Sequence, residues 1–255
     1  MFIIRDSRRI IQAGVSLVEL MVGITVGLVV IAGAVATYAV IARSGAEIFG
    51  SAKLNEELRG AMDLITRDIR RAGSFQGEPG ANLFTVIDVT NIKILDGGAC
   101  ILFAYDATFR DDTSPGAVDN KDYFGYKLSN GAIYARKTNA DGSGVINCAG
   151  SGFGSNWERL TDEETVLITS LSFQTTGSRC LNLTQSGQTW VSPTASTNPA
   201  CDSATPGYVA TANDRLFEKR QIRVKLAGKL KRREEFTMVL EEPVLLANDR
   251  IFNVP

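Results

Sequence analysis

"QAGVSLVELMVGITVGLVVIAGAVATYAVIAR", Gln12 to Arg43, is an apolar run that carries one carboxylate, Glu19, near its start and follows Arg5, Arg8 and Arg9. From Leu20 to Ala42 no residue is charged. At a helical rise of about 1.5 Å per residue, that length crosses roughly the 30 Å hydrocarbon layer of a bilayer, so the run reads as a membrane helix. Glu19 is the anomaly. A carboxylate at mid-membrane costs about 2.5 to 3.5 kcal/mol on insertion scales and less near an end, so it requires a partner.

Working outward, "LNEELRGAMDLITRDIRRAG" places Leu54, Leu58, Ala61 or Met62, Ile65, Ile69 and Ala72 at helical spacing with charges between them. The helix is therefore expected to continue, half-buried, through residues 43–73. Gly73 suits a C-cap, and Arg67, Arg70 and Arg71 sit where cations favour a helix terminus. "GEPG" follows as a turn.

Beyond Ser74 the texture is that of strands and turns, expected to form a β-rich region over 74–255. "TVIDVTNIKIL" and "ACILFAYDA" are rich in β-branched and aromatic residues. "YKLSNGAIYARK" sets Asn130-Gly131 between two alternating runs, a strong hairpin signal. "RQIRVKLAGKLKRREEFTMVL" alternates Ile222, Val224 and Leu226 with Arg223 and Lys225, then resumes at Phe236, Met238 and Leu240 after a charged turn, which predicts a second hairpin. The tracts "NADGSGVINCAGSGFGS" and "NLTQSGQTWVSPTASTNPACDSATPG" read as long surface loops, each with a cysteine that could pin it.

Composition excludes several classes. Lys+Arg total 27 against 28 Asp+Glu over 255 residues, so bulk charge implies neither a nucleic-acid binder nor an acidic tail. The chain has no histidine, the side chain most used for general acid/base work and zinc ligation near neutral pH, and no nucleophile-base pair, phosphate loop or metal motif stands out. The chain is read as a non-enzyme with no cofactor. Cys100, Cys148, Cys180 and Cys201 are scattered without a CxxC pair, which suits disulfides in an oxidising compartment. Four cysteines allow three pairings. Sequence-near pairing, Cys100 with Cys148 and Cys180 with Cys201, is favoured because the latter two bracket a polar loop with little else to hold it.

Other clusters have plainer readings. The acidic stretch with Asp106, Asp111, Asp112, Asp119 and Asp122 fits no EF-hand spacing and is expected to be a solvated loop. Lys229, Lys231, Arg232 and Arg233 are followed at once by Glu234 and Glu235, so a charged hairpin turn is favoured over a nucleic-acid contact. Gly23 and Gly27 could form a helix-packing face, although glycine is common in membrane helices anyway.

The N-terminus admits three readings. A cleaved secretory signal would use Leu20 to Ile31 as its core and Ala34-Val35-Ala36 for cleavage. A plain signal anchor would use the arginines to hold the N-terminus in the cytoplasm. Neither accounts for Glu19. "GVSLVEL", Gly14 to Leu20, after a basic leader and before an apolar helix, resembles the class III signal of type IV prepilins and pseudopilins. That resemblance implies a leader over 1–14, cleavage between Gly14 and Val15 by prepilin peptidase, methylation of the new amino terminus at Val15, and a retained membrane helix over 15–42. It also supplies Glu19 with a partner, the amino terminus of a neighbouring subunit, so the carboxylate would set register in the assembled bundle.

"LNEELRGAMDLITRDIRRAG" narrows the resemblance. A run ending in Asp, Arg, Ala and Gly, here Asp68, Arg71, Ala72 and Gly73, is common in PilW-type minor pilins and in J-type pseudopilins of type II secretion. "NWERLTDEETVLITSLSFQTT" is similar to a later segment of the same group. The expectation is an α+β pilin-like protein: a long N-terminal helix, its first half in lipid and its second half on antiparallel sheet. The resemblance implies a minor pilin that primes assembly or sits at the filament tip, with other minor pilins, the major pilin, the inner-membrane assembly platform and a tip adhesin as partners. The alternatives are a J-like pseudopilin and, in another class, a membrane-anchored periplasmic binding protein. The expected place is the inner membrane with the globular domain periplasmic, then the pilus at the cell surface.

Overall fold

The computed structural model describes residues 14–74, 92–106, 122–136, 148–149, 156–193, 200–201 and 205–254. The arginine leader, the "GEPG" turn, residues 85–91 of the first expected strand, most of the glycine-rich loop at 139–155, and Asp111, Asp112 and Asp119 lie outside the described residues. The chain divides into two compact units, 1–50 and 51–255.

One helix, α1, runs from Leu17 to Arg71. In chain order the strands are β1 Ile92–Leu95, β2 Cys100–Ala104, β3 Tyr123–Ser129, β4 Ala132–Arg136, β5 Trp157–Arg159, β6 Val166–Gln174, β7 Arg179–Asn182, β8 Arg215–Lys219, β9 Gln221–Leu230, β10 Thr237–Leu245 and β11 Arg250–Asn253. They form three antiparallel sheets, ordered β1-β2-β3-β4-β5, β10-β9-β6 and β11-β8-β7. The architecture is α+β and pilin-like.

In the second unit, the apolar positions read at helical spacing are the ones buried: Leu54, Leu58, Ala61, Met62, Ile65 and Ile69. They share a core with Ile101, Phe103, Tyr126 and Ile133 of the first sheet, Phe173 of β6, and Val224 and Leu226 of β9. Burying this helix stripe against two sheets stabilises the unit by about 25 cal/mol per Å² of apolar surface removed from water. The opposite face of the first sheet has its own cluster, with Cys100, Leu102, Tyr123, Tyr134 and Trp157.

Both expected hairpins form. Asn130 and Gly131 take φ of 49° and 75°, the left-handed pair a tight two-residue turn between twisted strands requires. The turn docks on β6: Gly131 accepts a hydrogen bond from the Ile168 amide at 2.8 Å, and a Cβ on Gly131 would lie 2.3 Å from Leu167 Cδ1. In the second hairpin, β10 pairs with β9 from Thr237↔Lys229 to Leu245↔Gln221. β10 is an edge strand and carries Pro243, which is tolerated at an edge because it cannot donate to a ladder.

The third sheet was not legible in advance. The tract after Asn182 was expected to be a loop throughout, yet Val191 returns to pair with Cys180 in an antiparallel bridge, and both of its backbone hydrogen bonds are made.

Candidate functional site

The candidate site is the start of α1. Gly14, Val15 and Ser16 precede the helix and are exposed; Ser16 closes the first turn by accepting the Leu20 amide at 3.1 Å. Glu19 lies in the first turn, exposed, where a carboxylate also complements the positive end of the helix dipole. A Cβ at Gly14 would meet nothing within 4 Å, so packing within the chain does not require glycine there.

The helix surface that follows is apolar and exposed. Every large apolar side chain from Val15 to Ile41 is more than half exposed, from 55% at Val22 and Ile24 to 73% at Leu17, Val29 and Tyr38. A contiguous apolar surface of that size is stable only in lipid or against other helices. Its side-chain hydroxyls fit that setting. Thr25 donates to the Val22 carbonyl at 2.9 Å and Thr37 to the Gly33 carbonyl at 2.6 Å, so neither needs water.

At its other end the helix is fastened by the residues of the Asp-Arg-Ala-Gly run. The Tyr126 hydroxyl donates to Asp68 Oδ2 at 2.5 Å. The Arg71 guanidinium lies 4.2 Å from the centre of the Tyr105 ring, which stacks on Phe124 with centroids 4.0 Å apart. Ala72 is fully buried. Gly73, at φ 78°, donates its amide to the Ala104 carbonyl at 2.8 Å, the left-handed stop expected of a C-cap. Burial, and then the Asp68 carboxylate, raises the Tyr126 hydroxyl well above the usual phenol range; the same causes push Tyr105 up to about 12. Both therefore stay neutral donors at physiological pH.

The four cysteines form Cys100–Cys148 and Cys180–Cys201, the sequence-near pairing. Asp96 lies close to the first pair, but the sulfurs are bonded to one another and are lost as thiolate ligands. Beside that disulfide, Lys127 donates to the Cys148 carbonyl at 2.7 Å and sits 4.4 Å from the Trp157 ring centre; burial lowers its pKa. Of the acidic stretch, Asp122 is buried rather than solvated, and Asp106 donates its amide to the Ser74 carbonyl. The basic hairpin turn is charge-paired, Lys229 with Glu234 and Lys231 with Glu164.

Sequence reasoning missed the polar residues that hold the second disulfide loop. Glu218, 1% exposed, accepts the amides of Ala200 at 2.7 Å and Cys201 at 3.3 Å and faces Arg250 at 3.4 Å. Asp214 accepts from the Thr211 amide, the Asn182 and Gln185 side chains and the Thr211 hydroxyl, and these donors hold its carboxyl below the ordinary range. Neither acid stands in a motif; apart from Thr211, three residues before Asp214, their partners are 17 to 32 residues away in sequence, so no local signal marks them.

An α+β domain with a core helix, preceded in sequence by an exposed apolar helical stretch that starts near Gly14 and Glu19, defines a pilin-like class. The family model "Prepilin peptidase-dependent protein B" matches residues 47–246, and the chain belongs to that family. The match begins inside α1 and ends just past β10, so the Gly14 to Glu19 segment lies outside it and is a separate observation. Comparison with curated proteins and with solved structures returned no match.

Proposed function

We propose that the protein is a PilW-like minor pilin that primes assembly of a type IV pilus and stays at or near its tip. Prepilin peptidase cuts between Gly14 and Val15 on the cytoplasmic face, Val15 is methylated, and the domain faces the periplasm until the subunit enters the filament. Glu19 pairs with the amino terminus of a neighbouring subunit. Other minor pilins, the major pilin and the assembly platform are its partners, a tip adhesin is a further one, and its role is structural rather than catalytic.

One observation carries the reading: the same helix that is sealed into the family domain from Leu54 onward presents a bare apolar surface from Val15 to Ile41. Such a helix serves first as an anchor and then as a packing element, and Gly14, which no packing requires, marks its processing end. N-terminal mass spectrometry of the protein from its native membrane tests this. The expected chain starts at Val15 and carries one methyl group, and Gly14→Leu retains the leader because a side chain obstructs the close approach of the peptidase. A wild-type chain left uncut or cut after Ala36, or a Gly14→Leu chain starting at Val15, overturns the reading.

A further inference from the structure

The third sheet has two unlike faces. Cys180, Leu216 and their neighbours cover one of them with a small core. On the other, the register sets Leu181, Phe217 and Ile251 side by side across β7, β8 and β11. The Cys180–Val191 bridge brings Trp190 opposite Leu181, and the Trp190 ring meets Phe217 edge-on at 5.6 Å. Trp190, Leu181, Phe217 and Ile251 thus form one apolar row, about 14 Å long at the usual strand spacing. Trp190 is 43% and Ile251 52% exposed, and Leu183, 48% exposed, extends the patch.

Cations bound this row at both ends of the strands. On the same face, two residues along, Arg179 lies directly opposite Lys219, both exposed. Like charges at a cross-strand pair destabilise a sheet, and no ion pair relieves either one among the described residues. Two residues along in the other direction Arg215 is exposed, also without an ion pair there. The acids adjacent to them in sequence are engaged elsewhere: Glu218, beside Lys219, accepts the Ala200 and Cys201 amides, and Asp214, beside Arg215, accepts from Thr211, Asn182 and Gln185. An exposed aromatic-centred row with uncompensated cations on both flanks is complementary to an apolar stripe with carboxylates on both sides.

We propose that this face is a docking surface for an acidic amphipathic helix of another protein. A helix of roughly ten residues covers the row with its i, i+3, i+4, i+7 stripe, and its flanking Asp or Glu side chains meet Arg179 and Lys219 on one side and Arg215 on the other. The chemistry favours protein over lipid because Leu181 and Phe217 are half-buried in the sheet, so the row is level with the surface and does not project between acyl chains.

The test is photo-crosslinking in native cells with the full chain, using Ile251→benzoylphenylalanine and, separately, Leu183→benzoylphenylalanine, with the adducted peptides sequenced. The expected adduct is a helical segment of a different protein with carboxylates flanking an apolar stripe. Its yield falls about tenfold with Arg179→Glu and Lys219→Glu, exposed changes that leave the core untouched, and returns when the facing acids are changed to lysine. Adducts to lipid, adducts to a second copy of this chain, a yield indifferent to charge reversal, or no adduct at either position each overturn the proposal.

Discussion

The Tyr126 hydroxyl on β3 donates to the Asp68 carboxylate in the last turn of α1 at 2.5 Å, across 58 residues of sequence. This bond ties the helix to the first sheet at the point where the chain leaves the helix. Tyr126→Phe keeps the ring in the core and removes the donor from a half-buried carboxylate. The expected loss is about 1–2 kcal/mol, since a charge-assisted hydrogen bond is removed without a cavity. In a unit of this size it lowers Tm by roughly 2–8 °C. Thermal unfolding of the full chain in detergent checks it, and a Tm equal to that of wild type would show that the bond contributes nothing net.

Asp214 gives the protein a stability step in acid. Its carboxyl is held below the ordinary value of 3.8 chiefly by the Thr211 amide and the Asn182 side chain. Because the folded value is the lower one, its contribution is present in full above the ordinary value and is lost as pH falls through the folded value. Asp214→Asn lacks that titration. The stability gap between wild type and Asp214→Asn is expected to be constant near neutral pH and to close below about pH 3.8. Denaturant melts across this range measure it; a gap that persists unchanged in strong acid would remove Asp214 as the cause.

The Cys180–Cys201 disulfide and Glu218 hold the same loop by different means. Replacing both cysteines by alanine is expected to cost about 3 kcal/mol in the chain-entropy model. Because Glu218 still accepts the Ala200 amide, the β7-β8-β11 sheet should keep its fold. Non-reducing peptide mapping should recover Cys180–Cys201 and Cys100–Cys148 from the native protein. Crossed pairs or free thiols would contradict the assignment.

Glu19→Gln separates an assembly role from anchoring alone. The amide is cheaper in lipid than the charge, so the amount of protein in the membrane should be unchanged or slightly higher. Incorporation should fall, because the amide cannot neutralise a neighbour's ammonium, and leaving that charge buried and unpaired costs several kcal/mol. The expected phenotype is fewer pili per cell, with those present looking normal. Wild-type pilus counts at normal membrane abundance would leave Glu19 without an assembly role.

The sequence by itself determined whatever depends on neighbours along the chain. An uncharged run from Leu20 to Ala42 is long enough for a helix that avoids water, Asn130-Gly131 fits one kind of turn, and Gly73 can take the left-handed stop that most residues resist. The periodic burial of Leu54 to Ile69 was legible for the same reason, because the helical repeat fixes which side chains share a face. Only the tertiary structure decided the rest. That Tyr126 answers Asp68, that Glu218 holds the amides of Ala200 and Cys201, and that Trp190 joins Leu181, Phe217 and Ile251 in one row depend on strand pairings between distant segments. Such pairings are set by register and by how sheets share a core. A one-residue slip would turn each of these side chains to the opposite face, and no local window of sequence contains that information.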